Sequence, residues 1–126
     1  MTTWETRETL WSFCKKIIKG EKANVMFIND ENTILYGRYD KKREIFFLLT
    51  VRELKGKNLE KIQKIKKYLC DCKVDYVFVN STSKEDKEFH SMLVQEIKDI
   101  MIWNKDKTCA VNRNYKVKIK DLFKNV

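Results

Sequence analysis

Proline is absent from this 126-residue chain, where average usage of about 5% would supply roughly six, and glycine stands only at Gly20, Gly37 and Gly56. Collagen-like and proline-rich disordered architectures are thereby excluded, and single glycines build no phosphate-cradling loop. No apolar run is longer than residues 45–49, far below the ~20 residues that a membrane-spanning helix needs. The first residues, among them Trp4, Glu5, Arg7 and Glu8, lack the apolar stretch of a secretory signal, so an intracellular protein, cytoplasmic or nuclear, with no membrane partner is expected. In that reducing compartment the four cysteines, Cys14, Cys70, Cys72 and Cys109, are expected as free thiols.

Hydrophobic residues make up 43% of the chain and aromatic residues 12%, enough apolar mass to offset the ordering entropy that keeps hydrophilic chains disordered. The length fits one domain over residues 1–126. Its net charge of +9 is uneven. Residues 52–73 hold eight basic and three acidic side chains and residues 105–126 seven and two, whereas residues 74–104 hold three and six. Two basic blocks suit a polyanion, because Lys and Arg that neutralise phosphates release counterions. The plainer reading is lysines that solvate a helix face.

Periodicity predicts a helix over residues 3–19, opened by a Thr2/Glu5 capping box, with Trp4, Trp11, Cys14 and Ile18 as its buried stripe and Gly20 as its stop. Strands follow at 24–29, at 33–36, ended by Gly37 and Tyr39-Asp40-Lys41-Lys42, and at 44–52, whose dense apolar run argues for a central position covered on both faces. Leu59, Ile62, Ile65, Leu69 and Cys72 share one face of the next helix, with Lys61, Lys64, Lys66 and Lys67 directed away from it. Residues 74–79 form a buried strand, a parallel crossover partner, and residues 84–103 a helix opened by a Thr82/Glu85 capping box. Residues 108–111 are a candidate short strand, and the strict alternation of residues 115–120 gives a strand with one basic face. The fold class is α/β, a mixed sheet in αβββαβα order.

That order resembles the PD-(D/E)xK nucleases, in which an Asp ending strand two and an E-x-K on strand three hold Mg²⁺ and place the attacking water. Asp40 and Glu53-Leu54-Lys55 match the pattern, with Glu8 as a further ligand. The register closer to the strand interior, however, carries Thr50 and Arg52, which supply neither carboxylate nor a basic amine, so the site reads as degenerate. A Cys₄ zinc site needs all four cysteines to converge, and Cys70-x-Cys72 is tighter than usual zinc spacing. His90, the single histidine, reads as a structural or surface residue, and the tryptophans as packing or interface residues.

Over residues 3–122 the pattern resembles the N-terminal jaw domain of the fifth subunit of eukaryotic and viral multisubunit RNA polymerases. The resemblance rests on Leu10-Trp11 and Cys14 in the first helix, the apolar strand at 46–51, the Lys-rich helix ending near Cys72, and Tyr76-Val77-Phe78-Val79 before a long helix. Leu49-Thr50-Val51-Arg52 is similar to the poxviral counterpart. The family implies a restriction-endonuclease-like fold without nuclease activity, contact with downstream DNA through Lys and Arg, and a place in a viral or virus-like transcription complex. The family's C-terminal assembly domain would begin beyond Val126, which leaves the anchoring unexplained.

The expectation is therefore a basic, non-catalytic subunit without a cofactor, bound to other subunits of that complex and contacting phosphates through Lys55, Lys57, Lys61, Lys64 and Lys67 with Lys116, Lys118 and Lys120. Residues 74–104, with an exposed Trp103, would be the protein-docking side. The alternatives are a Mg²⁺-dependent nuclease using Asp40, Glu53 and Lys55, and a small viral interaction protein that inhibits a host factor.

Overall fold

The computed structural model describes residues 7–30, 33–79 and 87–115. In chain order these form helix α1 (Arg7–Ile17), strands β1 (Lys22–Asp30), β2 (Thr33–Asp40) and β3 (Ile45–Glu53), helix α2 (Asn58–Asp71), β4 (Tyr76–Val79), helix α3 (Lys87–Ile97), β5 (Met101–Trp103) and β6 (Cys109–Asn112). The strands make one six-stranded mixed sheet in the order β3-β2-β1-β4-β6-β5. β1 and β4 run parallel, and the other neighbours are antiparallel. The chain is thus a single α/β domain with three helices among the described residues. None of those helices is long and apolar enough to cross a membrane.

Two cores sandwich the sheet because β1 and β4 alternate between apolar faces. Val25, Phe27, Tyr76 and Phe78 pack against Leu10, Cys14, Ile17 and Ile18 at α1. Met26, Ile28, Val77 and Val79 point the other way, onto Ile62, Ile65 and Leu69 of α2 and Phe89, Leu93 and Ile97 of α3. On the α1 side the rings of Phe27 and Phe78 stack at 5.3 Å, and Phe13 meets Phe78 edge-on at 4.9 Å. Burying a side chain of this size contributes about 1.5–3 kcal/mol, so the central pair of strands carries much of the stabilisation.

Four expectations need correction. β3 is an edge strand, and β1 and β4 are central. Of its apolar run only Phe46 is fully buried, while Leu48, Leu49 and Val51 are exposed. β2 continues through Gly37 to Asp40, because the missing side chain is what lets β3 approach: a Cβ there would collide with the Phe47 carbonyl and the Phe46 ring. Beside it Gly37 pairs with Leu48 and Tyr36 with Thr50, so Leu49 is the extra residue of a β-bulge. The last helix ends at Ile97, and after a turn Met101–Trp103 pairs with β6 as a strand. Finally, Leu59 is exposed rather than on the buried face of α2. The Thr2/Glu5 and Thr82/Glu85 caps, Trp4, and residues 116–120 of the alternating segment lie outside the described residues.

Candidate nucleic-acid interface

The sheet register separates the proposed nuclease residues. Asp40 pairs with Ile45 where the β2–β3 hairpin turns, whereas Glu53 pairs with Thr33 at the far end of the same two strands. At about 3.3 Å per residue the two carboxylates stand roughly 25 Å apart along the hairpin. Lys55 is exposed just beyond Glu53, so Asp40, Glu53 and Lys55 share no site. Asp40 is instead buried as the cap of its own turn, its Oδ1 accepting the Arg43 backbone N–H at 3.1 Å with the Arg43 Nε 3.8 Å from Oδ2. Thr50 is half-buried and Arg52 exposed on β3, and the Glu8 side chain lies outside the described positions. Among the described residues no three His, Cys, Asp or Glu side chains converge as a metal site.

The zinc possibility fails for a topological reason. Cys14 and Cys109 lie in the core beneath α1, while Cys72 packs on the opposite face of the sheet. All four thiols are free, and burial raises those of Cys14 and Cys109 far above the ordinary thiol range, which leaves them protonated and unreactive. His90 has a structural role: its Nε2 lies 2.6 Å from the Lys107 carbonyl and its ring meets Trp103 edge-on at 6.2 Å. Trp103 is not the exposed docking residue expected of it, for its indole N–H is buried against the α2/α3 core.

The lysine-rich helix is also less basic on its outside than its sequence suggests. Lys61 is only 8% exposed, packed on the inner side of α2 with Ile62 and Ile65. Lys66 lies 3.8 Å from Glu96 of α3. Lys64 and Lys67 are exposed, but Glu60 and Asp71 share that outer surface. Lys57 precedes the helix with its backbone N–H donating to Glu60 Oε1 at 3.4 Å, and Lys55 stands nearby, exposed. No unbroken cationic stripe runs along α2. Lys116, Lys118 and Lys120 lie outside the described residues.

Positive charge gathers instead at the end of the sheet where β1 and β4 begin and the β2–β3 hairpin turns. Lys22, Arg38, Lys41, Lys42, Arg43 and Lys73 are all exposed there, against the exposed carboxylates of Glu21, Glu44 and Asp71. Backbone hydrogen bonds tie these turns together. The Lys41 N–H donates to the Glu21 carbonyl at 2.8 Å and the Asp75 N–H to the Asn24 carbonyl at 2.7 Å. The Asn24 side chain is the hub, its Nδ2 donating to the Lys73 carbonyl at 3.1 Å and its Oδ1 accepting from Arg38 Nε at 3.2 Å. Asp75 Oδ2 accepts the Asn24 N–H at 2.8 Å, yet desolvation outweighs that bond and raises the Asp75 pKa above the usual carboxylate range.

Between these groups lies an open cleft of ≈ 550 Å³ with Phe47 and Leu49 on its hairpin side. The sequence reading missed this end of the molecule. The run Lys41-Lys42-Arg43 at a turn was its one local signal, since the remaining cations come from segments far apart in the chain. Comparison with protein-family models, with curated proteins and with solved structures produced no match for this chain.

Proposed function

We propose that the protein is a non-catalytic nucleic-acid-binding module that grips phosphates with the basic end of its sheet. The carrying observation is the convergence of six exposed Lys and Arg side chains from β1, β2 and two turns on one end of the sheet, where Lys22, Arg38 and Arg43 line an open cleft. Cations so placed neutralise a polyphosphate backbone without reading sequence. Separation of Asp40 from Glu53 speaks against the nuclease alternative.

The resemblance to the polymerase jaw supplies the assembly: we assign the chain to a transcription complex of a virus or virus-like element, held by other protein subunits. The restriction-endonuclease-like fold, in degenerate form, belongs to the same proposal. It is supported by the shared αβββαβα order of the first seven elements. The edge position of β3 is the feature that sits least well with the dense, doubly covered strand expected there.

The test is binding of labelled DNA and RNA at several salt concentrations. Charge reversal at Lys41 and Lys42 is expected to weaken binding uniformly across sequences and to flatten the log–log salt slope by about one for each phosphate no longer neutralised. Unchanged affinity and slope would remove the reading and favour the small interaction protein, whose lysines only solubilise it.

A further inference from the structure

Across β3, β2 and β1 to the residue ahead of β4, one row of side chains runs along the cleft. Asn24 of β1 is the cross-strand partner of Arg38 on β2, and Arg38 that of Phe47 on β3. Asp75, just ahead of β4, is bound to Asn24 through both backbone and carboxylate. Paired residues of neighbouring strands face the same side of a sheet, and strands lie about 4.8 Å apart, so carboxylate, amide, guanidinium and aromatic ring follow one another over roughly 14 Å. The face stays open here because α2 ends at Asp71 and the chain turns away at Lys73 into β4.

The Asn24 amide is committed to Lys73 and Arg38, and the groups left to meet a ligand are Arg38, Phe47 and Asp75. Arg38 is exposed and its Nε donates to Asn24 Oδ1 at 3.2 Å, which orients the guanidinium fork beside the cleft. Arg43 is exposed beside it, its backbone N–H donating to Asp40 at 3.1 Å and its Nε 3.8 Å from the same carboxylate, which holds the guanidinium at the cleft. The Phe47 ring is half-buried on the cleft wall, and Leu49, 56% exposed, extends the apolar surface. A bare phosphate needs the cations and has no use for an apolar ring. A base in a duplex reaches one only by leaving its stack, at the cost of its stacking and pairing. A flat ring bearing N–H donors and joined to a phosphate uses all of them: the ring on Phe47, the phosphate on Arg38 and Arg43, and an exocyclic amino group toward Asp75.

From this row we infer that the cleft accepts an unpaired nucleotide of a single-stranded nucleic acid, DNA or RNA, with its base against Phe47. The cleft volume of ≈ 550 Å³ lies within the range of small-ligand sites. The inference rests on the phosphate-binding reading above and adds to it a preference for single strands.

The test is fluorescence anisotropy with labelled single-stranded DNA, single-stranded RNA and a blunt DNA duplex of the same sequence, all at one salt concentration. The intact protein should bind a single strand more tightly than the duplex, and Phe47→Leu, which keeps apolar bulk but removes the π-face, should weaken single-strand binding about tenfold more than it weakens duplex binding. Phe47→Trp should preserve the preference, which separates stacking from damage to the fold. The DNA and RNA arms distinguish the source of the strand, and preference for either supports the inference. Equal affinity for duplex and single strands, or a Phe47→Leu variant that binds as the parent does, overturns it while leaving phosphate binding intact. Failure to bind any of the three overturns both readings.

Discussion

Lys73 occupies a position that normally belongs to glycine. Its φ of 51° lies in the left-handed region, and it closes α2 in a Schellman arrangement, with the Val74 N–H donating to the Leu69 carbonyl at 3.1 Å and its own N–H to the Cys70 carbonyl at 3.4 Å. A lysine side chain there crowds its own backbone, whereas glycine would not. Lys73→Gly is therefore expected to raise stability by about 0.5–1 kcal/mol, seen as a melting temperature a few degrees higher, and to weaken nucleic-acid binding through loss of one cation. Asp75 offers a second residue-level test. Its folded pKa is raised by desolvation, so the charged form disfavours the folded state. Stability is accordingly unaffected below the unfolded value of about 3.9 and falls as pH rises through the raised folded value. Asp75→Asn, which can keep an oxygen on the Asn24 N–H, should melt higher than the parent at neutral pH, and the gap should close as the pH approaches about 4. A gap independent of pH would show that the carboxylate's charge is not what disfavours the fold.

Among the elements, β3 is the one whose position was hardest to read. Its run of five apolar residues has the composition of a covered strand, yet it is the last strand of the sheet and leaves Leu48, Leu49 and Val51 exposed. An edge of nine residues presents unpaired backbone groups to other chains, and the bulge at Leu49 interrupts that edge. Val51, cross-strand from Leu35 and 55% exposed, lies away from the cleft and is a clean place to test this liability. Val51→Lys is expected to lower concentration-dependent light scattering while shifting stability by no more than about 0.5 kcal/mol. An unchanged scattering profile would show that the edge is already shielded. α2 teaches a related lesson. Its apolar positions set the buried face well, but Lys61, four residues before Ile65 and eight before Leu69, follows them inward, and Leu59 in the first turn does not.

For the molecule as a whole, the basic surface is a product of folding rather than of one segment. The end with Lys22, Lys41, Lys42 and Arg43 joins turns that are far apart in sequence, whereas the exposed lysines of α2 alternate with Glu60 and Asp71. Charge reversal at Lys64 and Lys67 is accordingly expected to change nucleic-acid affinity far less than the same change at Lys41 and Lys42, measured at equal salt. The opposite order would return the interface to α2.

The sequence by itself determined the single α/β domain, the order of its first seven elements and the free thiols. These follow from composition, local period and turn residues, which act over a few neighbouring positions. It also placed one short strand near Cys109, although Met101–Trp103, too brief to carry a period, read as the end of a helix. Only the tertiary structure decided which strand is central, that Asp40 and Glu53 stand at opposite ends of one hairpin, and that Asp75, Asn24, Arg38 and Phe47 form one row. Those are matters of strand register and order, set by which apolar faces meet across the sheet, and a residue's own neighbours in the chain carry no record of them.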